Sequence, residues 1–162
     1  MACFRKDIEA ADDFYLPKIK PGKFSAAELD ILKKHVNDEG ISFMKYGTTI
    51  HAVPEKLYTD MNFVASKLRI VNSGTRIGEI IKDKLVPEHA LAISGIINKE
   101  IQQIELNYDQ AIQYLKKKEM NIEAGKKGWA LVTYQQHPLG WINILSNRIN
   151  NYYPKELRIL KD

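Results

Sequence analysis

The chain predicts an α+β fold, and three observations carry that prediction. Apolar residues recur at helical spacing over about 26–38, 54–67 and 109–118, while the stretches 41–53 and 129–145 switch to short β-prone runs. Apolar residues make up 44% and charged residues 27% of 162 residues, a globular balance and enough chain for one ordinary domain or two small ones. No stretch approaches the roughly 18 continuous apolar residues of a membrane span, so no membrane is expected. The opening Met1-Ala2-Cys3-Phe4-Arg5-Lys6-Asp7 lacks the apolar core of a secretory signal. A single cysteine, Cys3, leaves no internal disulfide and no thiolate zinc site, and a reduced, cytoplasmic setting is expected.

The elements follow in order. Pro17, Pro21 and Gly22 mark an irregular connection. Ser25-Ala26-Ala27-Glu28 fits a capping box, and Leu29, Leu32 and Val36 continue a helix that Gly40 stops. Two β-prone runs flanking Gly47 predict a hairpin. Pro54-Glu55 opens a helix with Leu57, Met61 and Val64 on one side. Leu68-Arg69-Ile70-Val71 reads as a strand that a turn at Asn72-Ser73-Gly74 joins to an extended run over 76–82. Pro87-Glu88 suits the start of another helix carrying Ala90, Leu91, Ile93, Ile96 and Ile97, with His89 as a surface or capping group. Asn107 or Asp109 caps a helix closed by Lys116-Lys117-Lys118, whose cations complement the carbonyl end of the helix dipole. Trp129–Tyr134 and Leu139–Leu145 form a second hairpin in which Trp129 and Trp141 are expected as cross-strand partners, and Gly140 is expected to allow a sharp bend. A polar, kinked tail follows from Ser146.

Chemistry-bearing patterns are missing. No glycine-rich cofactor turn and no P-loop occurs, and His35, His51, His89 and His137 are scattered without ligand spacing. Cys3 has no adjacent base. No cofactor, metal or self-contained catalysis is therefore expected. Charge is more informative. Residues 1–115 carry 15 Lys/Arg against 16 Asp/Glu, whereas residues 116–162 carry 9 against 4, so the whole net charge of +4 resides in the last third. Such a surface suits phosphates, each neutralised with release of counterions.

The run His51-Ala52-Val53-Pro54, Leu68-Arg69-Ile70-Val71 with Gly74, Ile77-Gly78-Glu79, Pro87-Glu88-His89-Ala90-Leu91-Ala92, Gly128-Trp129-Ala130-Leu131-Val132, Leu139-Gly140-Trp141 and Asn151-Tyr152-Tyr153-Pro154-Lys155-Glu156-Leu157-Arg158 resembles the C-terminal region of the RsmF/Sun family of RNA 5-methylcytosine methyltransferases. The resemblance covers roughly residues 41–160. It implies a small PUA-like β-barrel with decorating helices over 85–162, preceded by an α/β segment over 1–84, and a link to ribosomal RNA maturation. The family's catalytic domain and active-site cysteines have no counterpart, so activity is not carried over. What is left looks like the RNA-holding part, whether a complete protein or a piece of a longer one.

An RNA-holding surface needs cations for phosphates and flat or forked groups for bases. Lys126 and Lys127 lie in a glycine-flanked loop, and Arg148, Lys155 and Arg158 flank Asn150, Asn151, Tyr152 and Tyr153. Tyr153 before Pro154 also suits a packed turn. Arg76, near Gly74, is a further candidate. The expected partner is structured RNA, ribosomal or transfer, held without chemistry. The alternative is an adaptor or accessory subunit of a separately encoded RNA methyltransferase, suggested by the nearly neutral first two-thirds with its apolar helix faces. A small enzyme with an unrecognised site is a third reading.

Overall fold

Ser25 accepts from the Glu28 N–H at 3.2 Å while the Glu28 carboxylate takes the Ser25 N–H at 2.9 Å, closing the expected capping box at the start of helix α1, Ala26–His35. Glu28 also pairs with Lys45 at 2.6 Å, and this bond holds its carboxyl below the usual range. The computed structural model describes residues 22–68, 70–120, 122 and 125–161; the expected irregular connection at Pro17 to Pro21 and the Cys3 position lie outside them. α1 stops short of residue 38 because Val36 turns extended and bridges Ile97.

Strands β1 (Ile41–Tyr46) and β2 (Thr49–Pro54) form the predicted hairpin about Gly47. A 3-10 turn, Glu55–Leu57, leads into α2, Tyr58–Lys67. β3 (Thr75–Ile81) then pairs antiparallel with β2 and with β4 (Lys84–Pro87), giving a sheet ordered β1-β2-β3-β4.

Two expectations are corrected here. Leu68, Ile70 and Val71 are not in a strand: both edges of β3 are already taken, and Val71 is left 91% exposed. Pro87 does not start a long helix. It ends β4, where a sheet-edge proline costs no ladder bond, after a tight turn in which Lys82 and Asp83 both have positive φ. Only α3, His89–Ala92, remains helical, and Ile96 and Ile97 fall in the following loop.

The second sheet runs β5 (Gln103–Glu105), β6 (Gly128–Tyr134), β7 (His137–Ile144) and β8 (Ile149–Asn151), with β5 parallel to β6 and the other pairs antiparallel. Between β5 and β6 lies α4, Tyr108–Leu115, opened by a reciprocal cap between Asn107 and Gln110. β5 and β8 were not legible because three residues are too few to show a period.

Side-chain alternation along the central strands buries both faces of this sheet. Ala130, Val132, Ile142 and Ile144 pack under Ala111 and Tyr114 of α4, whereas Leu131 and Trp141 join Leu32, Ile50, Ile77, Leu85 and Leu91 of the first unit. Trp141 is therefore the junction between the sheets, and its indole N–H donates to the Glu88 carbonyl at 2.9 Å. The two tryptophans are not cross-strand partners: the register sets Trp129 opposite Asn143 and Trp141 opposite Leu131. Gly140 sits beside a register shift, and its missing Cβ makes room for the Tyr114 hydroxyl. Among the described residues no helix is long and apolar enough to cross a membrane.

Candidate nucleic-acid interface

The last residues are strapped to the C-terminal end of α4. Lys117, with φ of +55°, follows that helix and points its ammonium at the carbonyls of Asn151, at 3.0 Å, and Tyr153. The Asn151 amide donates to the Tyr114 carbonyl at 2.8 Å and accepts from the Tyr153 N–H at 2.8 Å. The Ile159 N–H donates to the Leu115 carbonyl at 3.1 Å. A 3-10 turn, Lys155–Leu157, is held within this strap. One lysine of the expected helix-closing run thus does reach carbonyls, but those of the tail.

Burial holds Lys117 below its ordinary range, and the charges of Lys155 and Arg158 push the same way while Glu156 opposes them. Three cations and the one carboxylate of Glu156 thus share this corner. No carboxylate of a described residue lies within 4.0 Å of Lys155 or Arg158.

The aromatic residues divide by depth. Tyr153 is packed between Tyr114, with ring centroids 5.4 Å apart, and His89 at 5.3 Å, as a packed turn requires. Tyr152 is exposed and meets the Trp129 ring at 4.4 Å and 70°. Both edges of the Asn151 amide are spent on backbone, whereas Asn150 faces Asn143 across the β7–β8 pair.

The remaining candidates are spread over other elements. Arg148 is exposed in the β7–β8 turn, where its carbonyl accepts from Leu145. Lys127 lines a cleft beside Trp129 and Asn143, and the Lys126 backbone is anchored to the Gln102 side chain at 2.8 Å. Arg76 projects from β3 and pairs with Glu88 at 3.4 Å, so its guanidinium already faces a carboxylate. Glu88 precedes His89, which packs on Tyr153, and this chain of contacts connects Arg76 to the tail. Lys117, Asn143 and Trp129 are not among the expected contacts, and the fold separates them: Lys117 follows α4 on one face of the second sheet, whereas Trp129 and Asn143 lie on the face shared with Leu131 and Trp141. The helix dipole is a sufficient reason for Lys117, and the other two sit in β6 and β7, whose outward positions become visible only with the register.

Two imidazoles, one in each unit, are held neutral by burial. His51 donates from Nδ1 to the Ser73 carbonyl at 2.8 Å, yet burial keeps its pKa below 6.5, helped by Arg76 and opposed by Glu88. His89 is lowered by burial too, against Glu156, and its Nδ1 has no partner among the described residues. The unfolded chain binds protons near pH 6.5 and the folded chain only below that, so protonation favours unfolding. The urea midpoint is expected to be level from pH 8 to 7 and to fall as pH drops through 6.5 toward 5. A flat profile over that range would contradict burial of neutral imidazoles. No group of three or more His, Cys, Asp or Glu among the described residues is placed to hold a metal ion.

Comparison with known proteins meets this geometry from outside. Residues 101–159 match the family model described as the methyltransferase RsmF PUA domain. The chain is 29% identical over 101 residues to ribosomal RNA small subunit methyltransferase F of Shewanella loihica, covering 61% of this chain and 20% of that protein. It is also 32% identical over 80 residues to the human intraflagellar transport protein 52 homolog, covering 49% of this chain and 18% of that one. The chain thus spans about a fifth of the length of either relative.

Proposed function

We infer that residues 101–159, a PUA-like domain of the RsmF family, hold structured RNA and perform no chemistry on it. The observation that carries this reading is the basic corner formed by Lys117, Lys155 and Arg158, beside the exposed Tyr152 ring. Cations that share a field and lack carboxylate partners attract phosphates, and an exposed ring offers a stacking platform worth roughly 1–3 kcal/mol per base. Arg148, Lys126, Lys127 and Asn150 extend the surface, Arg76 contributes at its margin, and Asn151 acts as a strut. The RNA is ribosomal or transfer RNA, handled in the cytoplasm during ribosome biogenesis or RNA modification. The binding module comprises residues 85–162, with its second sheet as the wall of a PUA-like barrel, and residues 1–84 support it.

Filter binding to a hairpin RNA tests this reading. Micromolar or tighter affinity that falls steeply with salt is expected. Lys155→Ala and Arg158→Ala should each weaken binding several-fold and lower the salt slope by about 1, leaving the urea midpoint in place. Absent or salt-independent binding would overturn the reading.

A second reading is favoured by one feature of the first unit. Leu57, Phe63 and Leu68, on and beside α2, are 49%, 66% and 59% exposed, which suits contact with another protein. On that reading the chain is an accessory subunit of an RNA methyltransferase. Recovery of that enzyme in a pull-down that survives ribonuclease treatment would favour it, and loss on treatment would favour RNA.

A further inference from the structure

We propose that the cleft between the two sheets seats one unstacked nucleotide of a single-stranded RNA segment, a deepening that rests on the RNA-holding reading above. The cleft has a volume of about 500 Å³, within the range of small-ligand sites, which favour such junctions. Three elements far apart in sequence build it: α1, the β3–β4 turn, and the open end of the β6–β7 hairpin.

Its lining combines the three groups a nucleotide requires. Lys34, Lys84 and Lys127 supply three ammonium groups against the single carboxylate of Asp83. No described carboxylate lies within 4.0 Å of any of the three, although the neighbouring Lys33 is paired with Asp38. Trp129 provides a flat apolar wall. Asn143 lies directly opposite Trp129 in the strand register, is half-buried, and its amide has no hydrogen-bond partner among the described residues. A primary amide both donates and accepts, so it can read a base edge that a lysine or a hydroxyl alone cannot.

The shape decides between RNA forms. A cleft of this volume admits a splayed base but not a duplex, whose bases are already stacked and paired, so a duplex is left to the basic corner. Positive φ at Lys82 and Asp83 fixes the tight turn that delivers Lys84, so the cationic side of the cleft is preorganised rather than recruited.

Trp129 is also the reporter. The chain has two tryptophans, and Trp141 is buried, so ligand-dependent quenching reports on Trp129. The probes are a single-stranded RNA oligonucleotide, a blunt duplex of the same composition, and adenosine monophosphate. The oligonucleotide is expected to quench saturably, with the duplex binding but quenching little. Asn143→Ala should weaken oligonucleotide binding about fivefold or more, and the pair Lys34→Ala with Lys84→Ala should weaken it and lower the salt slope, duplex binding staying the same in both. A urea midpoint close to the parent's keeps these variants interpretable, and Trp129→Phe should remove the quench.

Unchanged emission, or oligonucleotide affinity indifferent to Asn143 and both lysines, would overturn the cleft while leaving hairpin binding through Lys155 and Arg158 standing. Adenosine monophosphate binding as tightly as the oligonucleotide would make this a free-nucleotide site and overturn the assignment to RNA. Quenching by the oligonucleotide with RNA binding insensitive to Lys155→Ala and Arg158→Ala would instead sink the basic corner and keep the cleft.

Discussion

Trp141→Ala is expected to lower stability by about 3–5 kcal/mol, read as a shift of the urea midpoint, because the indole is the largest fully buried side chain and lies where the two sheets meet. Its removal empties a junction lined by residues of both units that cannot collapse independently. It also leaves the Glu88 carbonyl without the indole N–H that now reaches it at 2.9 Å. Trp141→Phe separates the two effects. The ring is largely kept, and the unpaired carbonyl should cost about 1–3 kcal/mol. A loss under about 1 kcal/mol for Trp141→Ala would mean that the junction is not held by this side chain. RNA binding should weaken along with stability, since Glu88 also anchors Arg76 and precedes the His89 that packs on Tyr153.

Gly140→Ala is the second large effect, about 2–4 kcal/mol. A Cβ there would lie 2.3 Å from the Tyr114 hydroxyl oxygen and 3.1 Å from His89 Nδ1, on a backbone whose φ of +151° disfavours a side chain. The hydroxyl has little room to move. It is buried, donates to the Trp141 carbonyl at 3.2 Å, and burial pushes its pKa well above the ordinary phenol value. Tyr114→Phe removes the clashing oxygen, so the double variant should be more stable than the two single losses added together, by an interaction of about 0.5–3 kcal/mol. Strict additivity would show that backbone conformation, not the clash, accounts for the cost of Gly140→Ala.

Local signals were readable one residue at a time. The Ser25–Glu28 cap, the Asn107 cap, Gly47 between two β-prone runs and the hairpin over 129–145 each depend on residues within about ten positions, and each is present. The failures share a cause. Leu68 to Val71 has strand composition but no free edge, since β2 and β4 flank β3. Pro87 looks like a first-turn residue, yet a tight turn at Lys82 and Asp83 had already committed Lys84–Pro87 to pairing. Trp129 and Trp141 are separated by the register: the turn between Tyr134 and His137 already takes Trp129 past Trp141, and the shift between Val132 and Thr133 moves it on to face Asn143.

For the candidate surface, composition alone located the positive charge in the last third and named its cations, amides and rings. It did not distinguish Asn151, consumed by the Tyr114 carbonyl and the Tyr153 N–H, from Asn150, which faces Asn143. Nor did it connect Lys34 and Lys84, from a segment without net positive charge, to Lys127 across the cleft. By itself, then, the sequence determined the α+β class, the caps, the central hairpins and the sign and place of the charge, because these follow from short-range sterics, backbone hydrogen bonding and residue counts. Strand partners, the Trp141 junction, the strap at Lys117 and the cleft were decided only by tertiary structure, because each depends on which distant edges and faces remain open once the others have paired.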